Sequence, residues 1–368
     1  MTIVFDNIIF FLQRAGGISL YWSALLKRAS QSKKYEFVCY EPKKKSHNIF
    51  YRDFSLPKRY EINLPIILLR YLPFTKKVEE YAIFHSSYYR VALGKKVINI
   101  TTVHDFTYEY YFKGLLKWIH ILQKRFAITH SDGIICVSEN TKKDLLHFFP
   151  HLDESKIRVI YHGLSEDFFP LPLEEKKEKL ASVFPQLVDK KYVLYVGDRT
   201  HYKNFSIAVE AVKQLPLLVL VVAGGKKLSL KEKRLIRDIE EKIIFFRGVS
   251  SQMLNILYNN AHCLIYPSSY EGFGLPVLEA MGSGCPVVCS RSSSLPEVVG
   301  NAGILIDEKN VWDYVVAIQN LERSEIREFY REKGLERVKV FSWDNAFKQT
   351  VNFYKQVWER RFSKKNSI

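Results

Sequence analysis

The chain has 368 residues, of which 47% are hydrophobic and 14% aromatic. This length predicts about two domains, and this composition supplies sizeable apolar cores and excludes an intrinsically disordered chain. The formal net charge is +16, and residues 1–160 contribute +11 of it, with 25 Lys and Arg against 14 Asp and Glu. Such a basic first half predicts an anionic partner (nucleic acid, an anionic lipid surface or a phosphorylated acceptor) unless the cations are simply solvated.

Membrane, export and disulfide signals are missing from the sequence. It has no run of about 18 uncharged apolar residues, so we expect no transmembrane helix. The start lacks a basic region and carries Asp6, which argues against a signal peptide. The cysteines are odd in number and lack metal-ligand spacing, which predicts a cytosolic protein with reduced core thiols and no structural zinc. They are Cys39, Cys136, Cys263, Cys285 and Cys289.

The first half alternates between apolar strand patterns and amphipathic helix patterns. Gly16 and Gly17 separate the first strand from the first helix, either as a loop that approaches phosphate or as a plain tight turn. His104 directly follows a strand, where an open α/β sheet places its ligand crevice, although a hydrogen-bonded structural histidine would give the same pattern. The predicted strands are 3–11, 35–40, 82–85, 97–103, 132–137 and 157–161, and the predicted helices are 18–29, 108–129 and 139–149; residues 49–77 are predicted to form loops and a short helix.

Residues 108–129 interleave aromatic and basic side chains on one predicted helix, with Trp118 beside Lys117 as an example. This pattern is typical of a helix that lies in a membrane interface. A helix that packs on the sheet and leaves its lysines in water has the same pattern. The sequence leaves both interpretations open.

A domain boundary is predicted in residues 170–191, which combine prolines with a Glu- and Lys-rich patch. The first domain is then 1–168 and the second 169–345. The predicted strands of the second half are 192–196, 217–223, 243–246, 263–266, 287–289 and 304–306, and its predicted helices are 205–214, 229–242, 252–261, two that open near Pro276 and Pro296, and 344–362. This alternation predicts an α/β fold with parallel doubly wound sheets and a ligand between the two halves, at the glycine turns.

The most informative stretch runs from Ser268 to Glu279 and reads as strand, glycine-bearing loop and helix. Gly272 and Gly274 allow close approach of the backbone to a ligand. The backbone N–H groups at the helix start would favour an anion such as phosphate. These groups belong to Phe273, Gly274 and Leu275.

Two carboxylates lie eight positions apart in this stretch, Glu271 in the loop and Glu279 in the helix. A carboxylate only accepts hydrogen bonds, so it suits the vicinal hydroxyls of a sugar. An anion and a polyol bound by one loop suggest a nucleotide sugar. Taken singly, Glu279 could instead be a first-turn carboxylate favoured by the helix dipole, and Glu271 an exposed loop residue.

The spacing Glu271-x7-Glu279, with its glycines and the following Gly-Cys-Pro-Val-Val run, resembles the family 4 retaining glycosyltransferases. The likeness spans most of the chain, because Gly16-Gly17 and His104-Asp105 also resemble elements of that family. The resemblance implies the GT-B fold, in which two Rossmann-like domains face each other across a cleft. It also implies a C-terminal helix, about 346–368, that crosses back to the first domain.

One departure from the family pattern lies in the loop after the strand at 192–196. The family usually has adjacent Arg-Lys, whereas here Tyr202 precedes Lys203. Arg199 stands three residues before Tyr202. We therefore expect Arg199 to supply the displaced charge from the same loop.

The resemblance implies a role for each matched residue. Glu279 would bind the ribose hydroxyls, and Arg199 with Lys203 would neutralise the diphosphate. Glu271 would bind the donor sugar, while His104 would orient the sugar or the acceptor. The implied catalytic set is Glu271, His104, Lys203 and Arg199, and the implied donor-binding set is Gly16, Gly17, Arg199, Lys203, Gly248, Glu271, Gly272, Phe273, Gly274, Leu275 and Glu279.

The implied reaction is a retaining transfer of a hexose, with mannose as one candidate, from a GDP-, UDP- or dTDP-linked donor to a glycan acceptor. No cofactor is expected, and the lack of an Asp-x-Asp motif favours metal independence. The basic first half and family habit favour a lipid-linked acceptor in surface polysaccharide or O-antigen assembly. We expect a cytoplasmic protein that is peripheral at the inner membrane face. A nucleotide-sugar epimerase on the same fold is an alternative, whereas nucleic-acid binding is disfavoured because no binding motif occurs.

Overall fold

The computed structural model describes residues 1–52, 54–307 and 310–362, apart from the side chain of Leu116. The chain divides into two compact units. Residues Met1–Gly163 and the segment that starts at Ser342 form the first unit, and Leu164–Phe341 form the second. Residues 363–368, the last part of the predicted C-terminal helix, lie outside the described residues.

Each unit is built on a parallel sheet. In the described part of the first unit, seven strands pair in the order β3-β2-β1-β4-β5-β6-β7, all parallel. These strands are β1 (Thr2–Asp6), β2 (Glu36–Glu41), β3 (Lys58–Tyr60), β4 (Ile83–Ser86), β5 (Ile98–Val103), β6 (Gly133–Cys136) and β7 (Ile157–Val159). The central strands are buried along almost their whole length, as expected where helices cover both faces of a sheet.

Six strands of the second unit, counted over its described residues, pair in the order β10-β9-β8-β11-β12-β13 and are again parallel. These are β8 (Tyr192–Val196), β9 (Val219–Ala223), β10 (Ile243–Phe246), β11 (Cys263–Tyr266), β12 (Val287–Ser290) and β13 (Ile304–Ile306). The chain order reverses between β8 and β11, and a ligand crevice forms at the carboxyl ends of strands where this reversal occurs. The two sheets confirm the predicted α/β fold of doubly wound parallel units.

Helices connect the strands in both units. In chain order they are α1 (Ile9–Leu12), α2 (Gly17–Gln31), α3 (Ile66–Tyr71), α4 (Thr107–Tyr111), α5 (Leu115–Thr129), α6 (Glu139–Phe148), α7 (Leu173–Val183), α8 (Phe205–Lys213), α9 (Leu230–Ile236), α10 (Ser251–Asn260), α11 (Leu275–Gly282), α12 (Leu295–Val299), α13 (Val311–Asn320), α14 (Ser324–Arg337) and α15 (Trp343–Phe362). Short 3-10 turns lie at Glu154–Lys156, Pro185–Leu187, His201–Lys203, Arg237–Lys242 and Val338–Val340.

The last helix belongs to the first unit, although it follows the second in sequence. Buried side chains of α15 join the core of the first sheet and α2, among them Tyr354 and Val357. The Tyr354 hydroxyl lies 2.5 Å from Nδ1 of the buried His85 on β4. The return of the chain after residue 341 is therefore fixed by both apolar packing and a buried hydrogen bond.

Two predicted elements of the first unit were wrong in extent. The strand predicted at 3–11 ends at Asp6, because the Asp6 carboxylate accepts a hydrogen bond from the Ile8 N–H and turns the chain into α1. The helix predicted at 108–129 is two helices, α4 and α5. Gly114, with φ +84°, separates them in a conformation that favours glycine. Strand β3 lies in a segment predicted as loops and a short helix.

The second unit also differs from prediction in two places. Residues 170–191, proposed as the domain boundary, contain α7, which belongs to the second unit. The helix predicted at 229–242 ends at Ile236 and continues as a 3-10 turn. Its start is capped by Ser229, whose side chain accepts from the Glu232 N–H while the Glu232 carboxylate accepts from the Ser229 N–H. All five cysteines are buried free thiols.

Candidate functional site

A lysine–glutamate pair lies at the carboxyl edge of the second sheet, where its chain order reverses. Lys203 is in the loop that follows β8, and Glu271 is in the loop that follows β11. The Lys203 ammonium donates to Glu271 Oε1 over 2.9 Å. Tyr266 and Ser268 donate to the same oxygen over 2.8 Å and 2.6 Å. Three donors therefore hold one carboxylate oxygen in a fixed position.

The backbone of Glu271 is held as firmly as its side chain. Its N–H donates to Ser293 Oγ over 2.7 Å. Its carbonyl oxygen accepts from the hydroxyls of Ser293 and Ser294, both over 2.9 Å. The loop after β12 thus supports the loop after β11, so that Glu271 has little freedom to move.

Asn204 ties the lysine loop to the glutamate loop. Its side-chain amide donates to the Pro267 carbonyl over 2.8 Å and to Ser269 Oγ over 2.7 Å. Its backbone is left-handed, with φ +48° and ψ +45°, a conformation that asparagine tolerates better than most residues. In addition, the Ser269 N–H donates to the Tyr202 carbonyl over 2.7 Å. Asn204 therefore fixes the spacing between Lys203 and Glu271.

The pair is charged and only partly covered. Burial disfavours the charged form of Lys203, but the Glu271 carboxylate and the Tyr266 hydroxyl outweigh it, so the pKa of Lys203 lies well above its ordinary value. Burial and the nearby Glu271 carboxylate raise the pKa of the Tyr266 hydroxyl, which stays protonated as a donor. The side chains of Lys203 and Glu271 remain 15% and 13% exposed. A ligand can therefore reach a fixed cation and a fixed carboxylate together.

A glycine in the left-handed region, Gly274, directly precedes the helix after this loop, α11. Gly274 has φ +103°, and a Cβ there would lie 2.7 Å from the Leu295 side chain, so both conformation and space require glycine. Gly272, Phe273 and Leu275 lie beside it at the helix start. The geometry places the predicted backbone N–H groups together, at the amino end of a helix whose second residue is proline.

Glu279 lies in α11 as a half-buried carboxyl group. Its Oε2 accepts from the Tyr258 hydroxyl over 3.2 Å. Burial raises the pKa of Glu279 to about 7, and the Asp167 charge adds to this effect, while the Tyr258 hydrogen bond opposes it. This carboxyl group is therefore poised to change its charge near neutral pH, unlike a solvated helix-surface glutamate.

The polar contacts described for Arg199 are with α9 and with the loop that precedes it, not with Lys203 or Glu271. Its Nε donates to Glu232 Oε1 over 2.6 Å, and its other nitrogens donate to the carbonyls of Gly224 and Lys226. The side chain is 4% exposed and pairs with a carboxylate that also caps α9. The expectation that Arg199 replaces the charge displaced by Tyr202 stays a prediction.

A basic cavity of about 560 Å³ opens beside Arg199. Its lining includes Lys226, Lys227 and Lys231, together with Asp198 and Glu232. Gly248 follows the neighbouring strand β10 and has φ +67°. The cavity is large enough for a ligand of nucleotide size.

The predicted residues of the first unit lie at the carboxyl edge of the first sheet. His104 follows β5, and its ring lies 5.1 Å from that of Tyr21 on α2, the helix that Gly16 precedes and Gly17 begins. Burial lowers the pKa of His104 to about 4, and the nearby Lys124 adds to this effect against the opposing Asp105. A neutral imidazole can both accept and donate a hydrogen bond, as a sugar hydroxyl requires.

Sequence reasoning missed four of the groups that hold Glu271 and its loop. Tyr266 was assigned to a buried strand, and Ser268, Ser269 and Ser293 had no assigned contacts. The available signal was the serine pair directly after β11 and the serine run after β12, since such hydroxyls bind nearby backbone groups.

The described residues contain neither a metal-binding cluster of acidic, histidine or cysteine side chains nor a membrane-spanning helix. Within them, no group of three or more His, Cys, Asp or Glu side chains is arranged to hold a metal ion. Among the same residues, no helix combines the length and apolar character needed to cross a bilayer.

Sequence models of two protein families match the chain. The model described as Glycosyltransferase Family 4 matches residues 15–168, and the model described as Glycosyl transferases group 1 matches residues 176–337. The second match contains the loops of Lys203 and Glu271, and the first contains those of Gly17 and His104.

Individual proteins give the same assignment. O-antigen chain mannosyltransferase B of Escherichia coli is 33% identical over 270 residues, which are 70% of this chain and 70% of that protein. O-antigen chain mannosyltransferase RfbU of Salmonella typhimurium is 28% identical over 227 residues, 60% of each chain. The crystal structure of Anabaena Alr3699/HepE in complex with UDP-glucose has a TM-score of 0.74 at 13% identity, over 97% of this chain and 100% of that one, and shows the fold alone. The chain therefore belongs to family 4 of the glycosyltransferases and has the GT-B fold of two Rossmann-like units.

Proposed function

We propose that the protein transfers a hexose from a nucleotide-diphosphate sugar to a glycan acceptor with retention of anomeric configuration. The observation that carries this proposal is the Lys203–Glu271 pair at the carboxyl ends of β8 and β11, with its 2.9 Å contact and its partial exposure. A cation that faces a fixed carboxylate suits a diphosphate leaving group next to a sugar. The names of the two O-antigen chain relatives support mannose as the sugar and a surface polysaccharide as the product.

The donor would be divided between the groups at this edge of the second sheet. Lys203 would neutralise the diphosphate together with Arg199, which lines the basic cavity. The N–H groups at the start of α11 would donate to phosphate or sugar. Glu271 would accept from the sugar hydroxyls, and Glu279 would accept from the ribose hydroxyls.

The chemical step follows from these placements. The bond between the anomeric carbon and the diphosphate oxygen breaks as the acceptor oxygen bonds to the same face of that carbon. The acceptor proton passes to the departing phosphate oxygen. Glu271 stabilises the positive charge that develops on the sugar, and Lys203 stabilises the negative charge that develops on the diphosphate. Most of the rate enhancement then comes from positioning and electrostatics.

The first unit would supply the acceptor side. Neutral His104 would orient the sugar or the acceptor, and Gly16 and Gly17 would allow a close approach of backbone to the donor. We propose a lipid-linked glycan as the acceptor, a protein that works peripherally at the inner face of the cell membrane, and cations in place of a divalent metal. The basic first half supports an anionic surface as a further partner.

The first experiment identifies the nucleotide base of the donor. Thermal unfolding with UDP, GDP or dTDP identifies it, because a ligand of the native state raises Tm by mass action. The sugar follows from transfer assays with nucleotide sugars of that base, and the anomeric configuration of the product follows from NMR. We expect a retained configuration and unchanged activity in a metal chelator.

Two results would overturn the proposal. Consumption of the nucleotide sugar at the same rate with and without acceptor, to yield an isomeric nucleotide sugar, would show an epimerase. An inverted product would exclude the same-face step. The control is Lys203→Ala, which should lose the stabilisation by a nucleoside diphosphate but retain any stabilisation by the nucleoside alone.

A further inference from the structure

An exposed apolar stripe runs along α5 in the first unit. Leu115, Trp118, Leu122 and Phe126 are 75%, 60%, 63% and 40% exposed. Their spacing of three to four residues places them on one face of the helix. An amphipathic helix of a globular protein normally turns such a face toward the core. Here the stripe faces solvent, so α5 has a second apolar face besides the buried one that includes Ala127 and Ile128.

The neighbouring helix α3 extends the stripe into a wider surface. Ile67 and Leu68 are exposed, as are Tyr71 and Leu72 at its end. The side-chain amide of Gln123 on α5 donates to the Arg70 carbonyl, which joins the two helices. A cavity of about 240 Å³ has both Tyr71 and Phe126 in its lining, so the two apolar sets are contiguous. We call the exposed apolar residues of α3 and α5, with Leu72, the α3–α5 face.

Within the two segments that carry the α3–α5 face, the charges have a single sign. Residues 62–78 and 110–131 contain no Asp or Glu, and their seven basic residues are Arg70, Lys76, Lys77, Lys113, Lys117, Lys124 and Arg125. Lys124 is buried in an ion pair with Glu109 and does not contribute to the surface. The side chains of Lys76, Lys77, Lys113 and Arg125 are exposed. A cluster of exposed aromatic and aliphatic groups with a basic rim matches the chemistry of an anionic bilayer surface.

A second copy of the chain fits this face less well. A symmetric dimer through the α3–α5 face would bring two sets of basic side chains together, without acidic partners from these segments. An anionic lipid surface removes that repulsion and accepts the apolar groups below its headgroups.

From these observations we propose that the α3–α5 face docks on anionic phospholipid bilayers as an interfacial surface, with Trp118 and Leu115 inserted at headgroup depth. This inference applies the membrane-interface interpretation of residues 108–129 to the exposed side of α5. It rests on the peripheral membrane location in the proposed function and adds the surface that makes the contact, although docking itself needs neither donor nor acceptor. A protein that binds vesicles but transfers no sugar would refute the proposed function and leave the docking inference intact.

The test is flotation of the full chain with vesicles of phosphatidylcholine alone or mixed with phosphatidylglycerol. We expect binding to the mixed vesicles, weaker binding at high salt and little binding to the neutral vesicles. The triple variant Leu115→Ser, Trp118→Ser, Leu122→Ser should bind the mixed vesicles at least roughly tenfold more weakly than the wild type. The double variant Lys113→Glu, Arg125→Glu should lose the dependence on phosphatidylglycerol.

The second unit offers a matched control with the same residue types and comparable exposure. Leu173, Leu217 and Trp312 are 82%, 87% and 63% exposed. The variant Leu173→Ser, Leu217→Ser, Trp312→Ser should float like the wild type. Brominated phospholipid should quench the fluorescence of wild-type protein and of a Trp312→Phe variant, and quench much less that of a Trp118→Phe variant.

Three outcomes would overturn the inference. The face variant and the control variant could bind vesicles equally, which would remove the α3–α5 face from docking. Wild-type protein could bind neither vesicle type. It could also form a dimer that only the face variant dissociates, which would assign the face to a second copy.

Discussion

Two charge clusters occupy comparable places in the two units, and they differ in exposure. In the first unit, Arg90 donates to Asp6 Oδ2 over 2.9 Å and to the Glu61 carboxylate over 3.0 Å and 3.1 Å. These side chains are 0% to 1% exposed. In the second unit, the side chains of Lys203 and Glu271 are 13–15% exposed. Asp6 ends β1 and Arg90 follows β4, whereas Lys203 and Glu271 follow β8 and β11. Each of these two pairs of strands flanks the reversal of chain order in its own parallel sheet.

The difference in exposure shows that an ion pair at the edge of a parallel sheet stabilises the fold in one unit and forms a candidate ligand site in the other. The Nε of Arg90 also donates to the Leu72 carbonyl over 3.1 Å, so each part of the guanidinium has a protein partner. This cluster therefore ties the ends of β1 and β4 to the segment before α3. Lys203 and Glu271 are fixed by neighbours but open to solvent, which leaves them able to meet a ligand.

The largest effect on stability should come from Arg90→Met. Loss of one partner from a buried ionic cluster costs about 3–5 kcal/mol, because Asp6 and Glu61 would then face each other without a cation. Burial and the Asp6 charge already raise the pKa of Glu61 to about 7, with Arg90 opposing them. Protonation of Glu61 relieves the repulsion, so the loss should be smaller at about pH 5 than at about pH 8. Urea unfolding at both pH values measures it.

The control for this variant is Arg59→Met, which removes an exposed ion pair with Glu79. It should unfold with the wild-type midpoint, since exposed pairs contribute little. If Arg90→Met is as stable as the wild type, the buried cluster does not stabilise the fold. The proposed contrast between a stabilising cluster in the first unit and a ligand site in the second would then be wrong.

The second largest effect is on turnover, from Lys203→Ala and Glu271→Ala. Each substitution should reduce the rate of sugar transfer tenfold or more. This corresponds to a loss of about 1.4 kcal/mol or more of transition-state stabilisation. The change in Tm should be small. Lys203→Arg keeps the charge and should retain more activity than Lys203→Ala. Steady-state kinetics with the identified donor measures both numbers. Folded Lys203→Ala protein with wild-type turnover would rule out the diphosphate role.

The sequence predicted the sheets of both units but not the side-chain contacts that complete the candidate site. The alternation of strands and helices predicted both parallel sheets, and the family resemblance assigned Lys203 and Glu271 to donor binding without predicting their contact. The three donors to Glu271 Oε1 could not be predicted, because Tyr266 occurs in an apolar run that indicates only a buried strand. The pairing of Arg199 with Glu232 depends on the path of the loop before α9, which no periodicity encodes. Glycine at 114 divides a run whose amphipathic pattern continues on both sides.

A smaller effect is expected from Asn204→Ala. The substitution removes the hydrogen bonds to Pro267 and Ser269 and places alanine in a left-handed conformation, at a cost of about 1–2 kcal/mol in stability. We expect a severalfold loss of kcat, because Lys203 and Glu271 lose their fixed spacing. Asn204→Gly adopts the backbone conformation without strain but lacks the side chain. If Asn204→Gly keeps full kcat, the side-chain clamp is unnecessary for the site.

The smallest effect on stability should come from Glu279→Gln, and it should be a gain. The pKa of Glu279 is about 7 in the folded chain and about 4.5 for an unperturbed glutamate. The folded state thus binds more protons than the unfolded state between about pH 4.5 and 7, so the contribution of Glu279 to stability falls as the pH rises through that window. Glutamine does not ionise, so it avoids the cost of burying a charged carboxylate. Glu279→Gln should therefore raise Tm at about pH 8 and leave it unchanged at about pH 4.

The same substitution should weaken donor binding severalfold while it stabilises the fold. If the ribose hydroxyls donate to Glu279, the ionised carboxylate is the binding form, and the donor must bind more tightly as the pH rises from about 6 to about 8. Calorimetric titration of wild-type protein with the nucleotide sugar should show this trend, together with proton release at about pH 6.5. Glu279→Gln should bind more weakly and without the trend. Equal affinity and equal pH dependence in the two proteins would move the ribose away from Glu279, and the raised pKa would then be a consequence of burial alone.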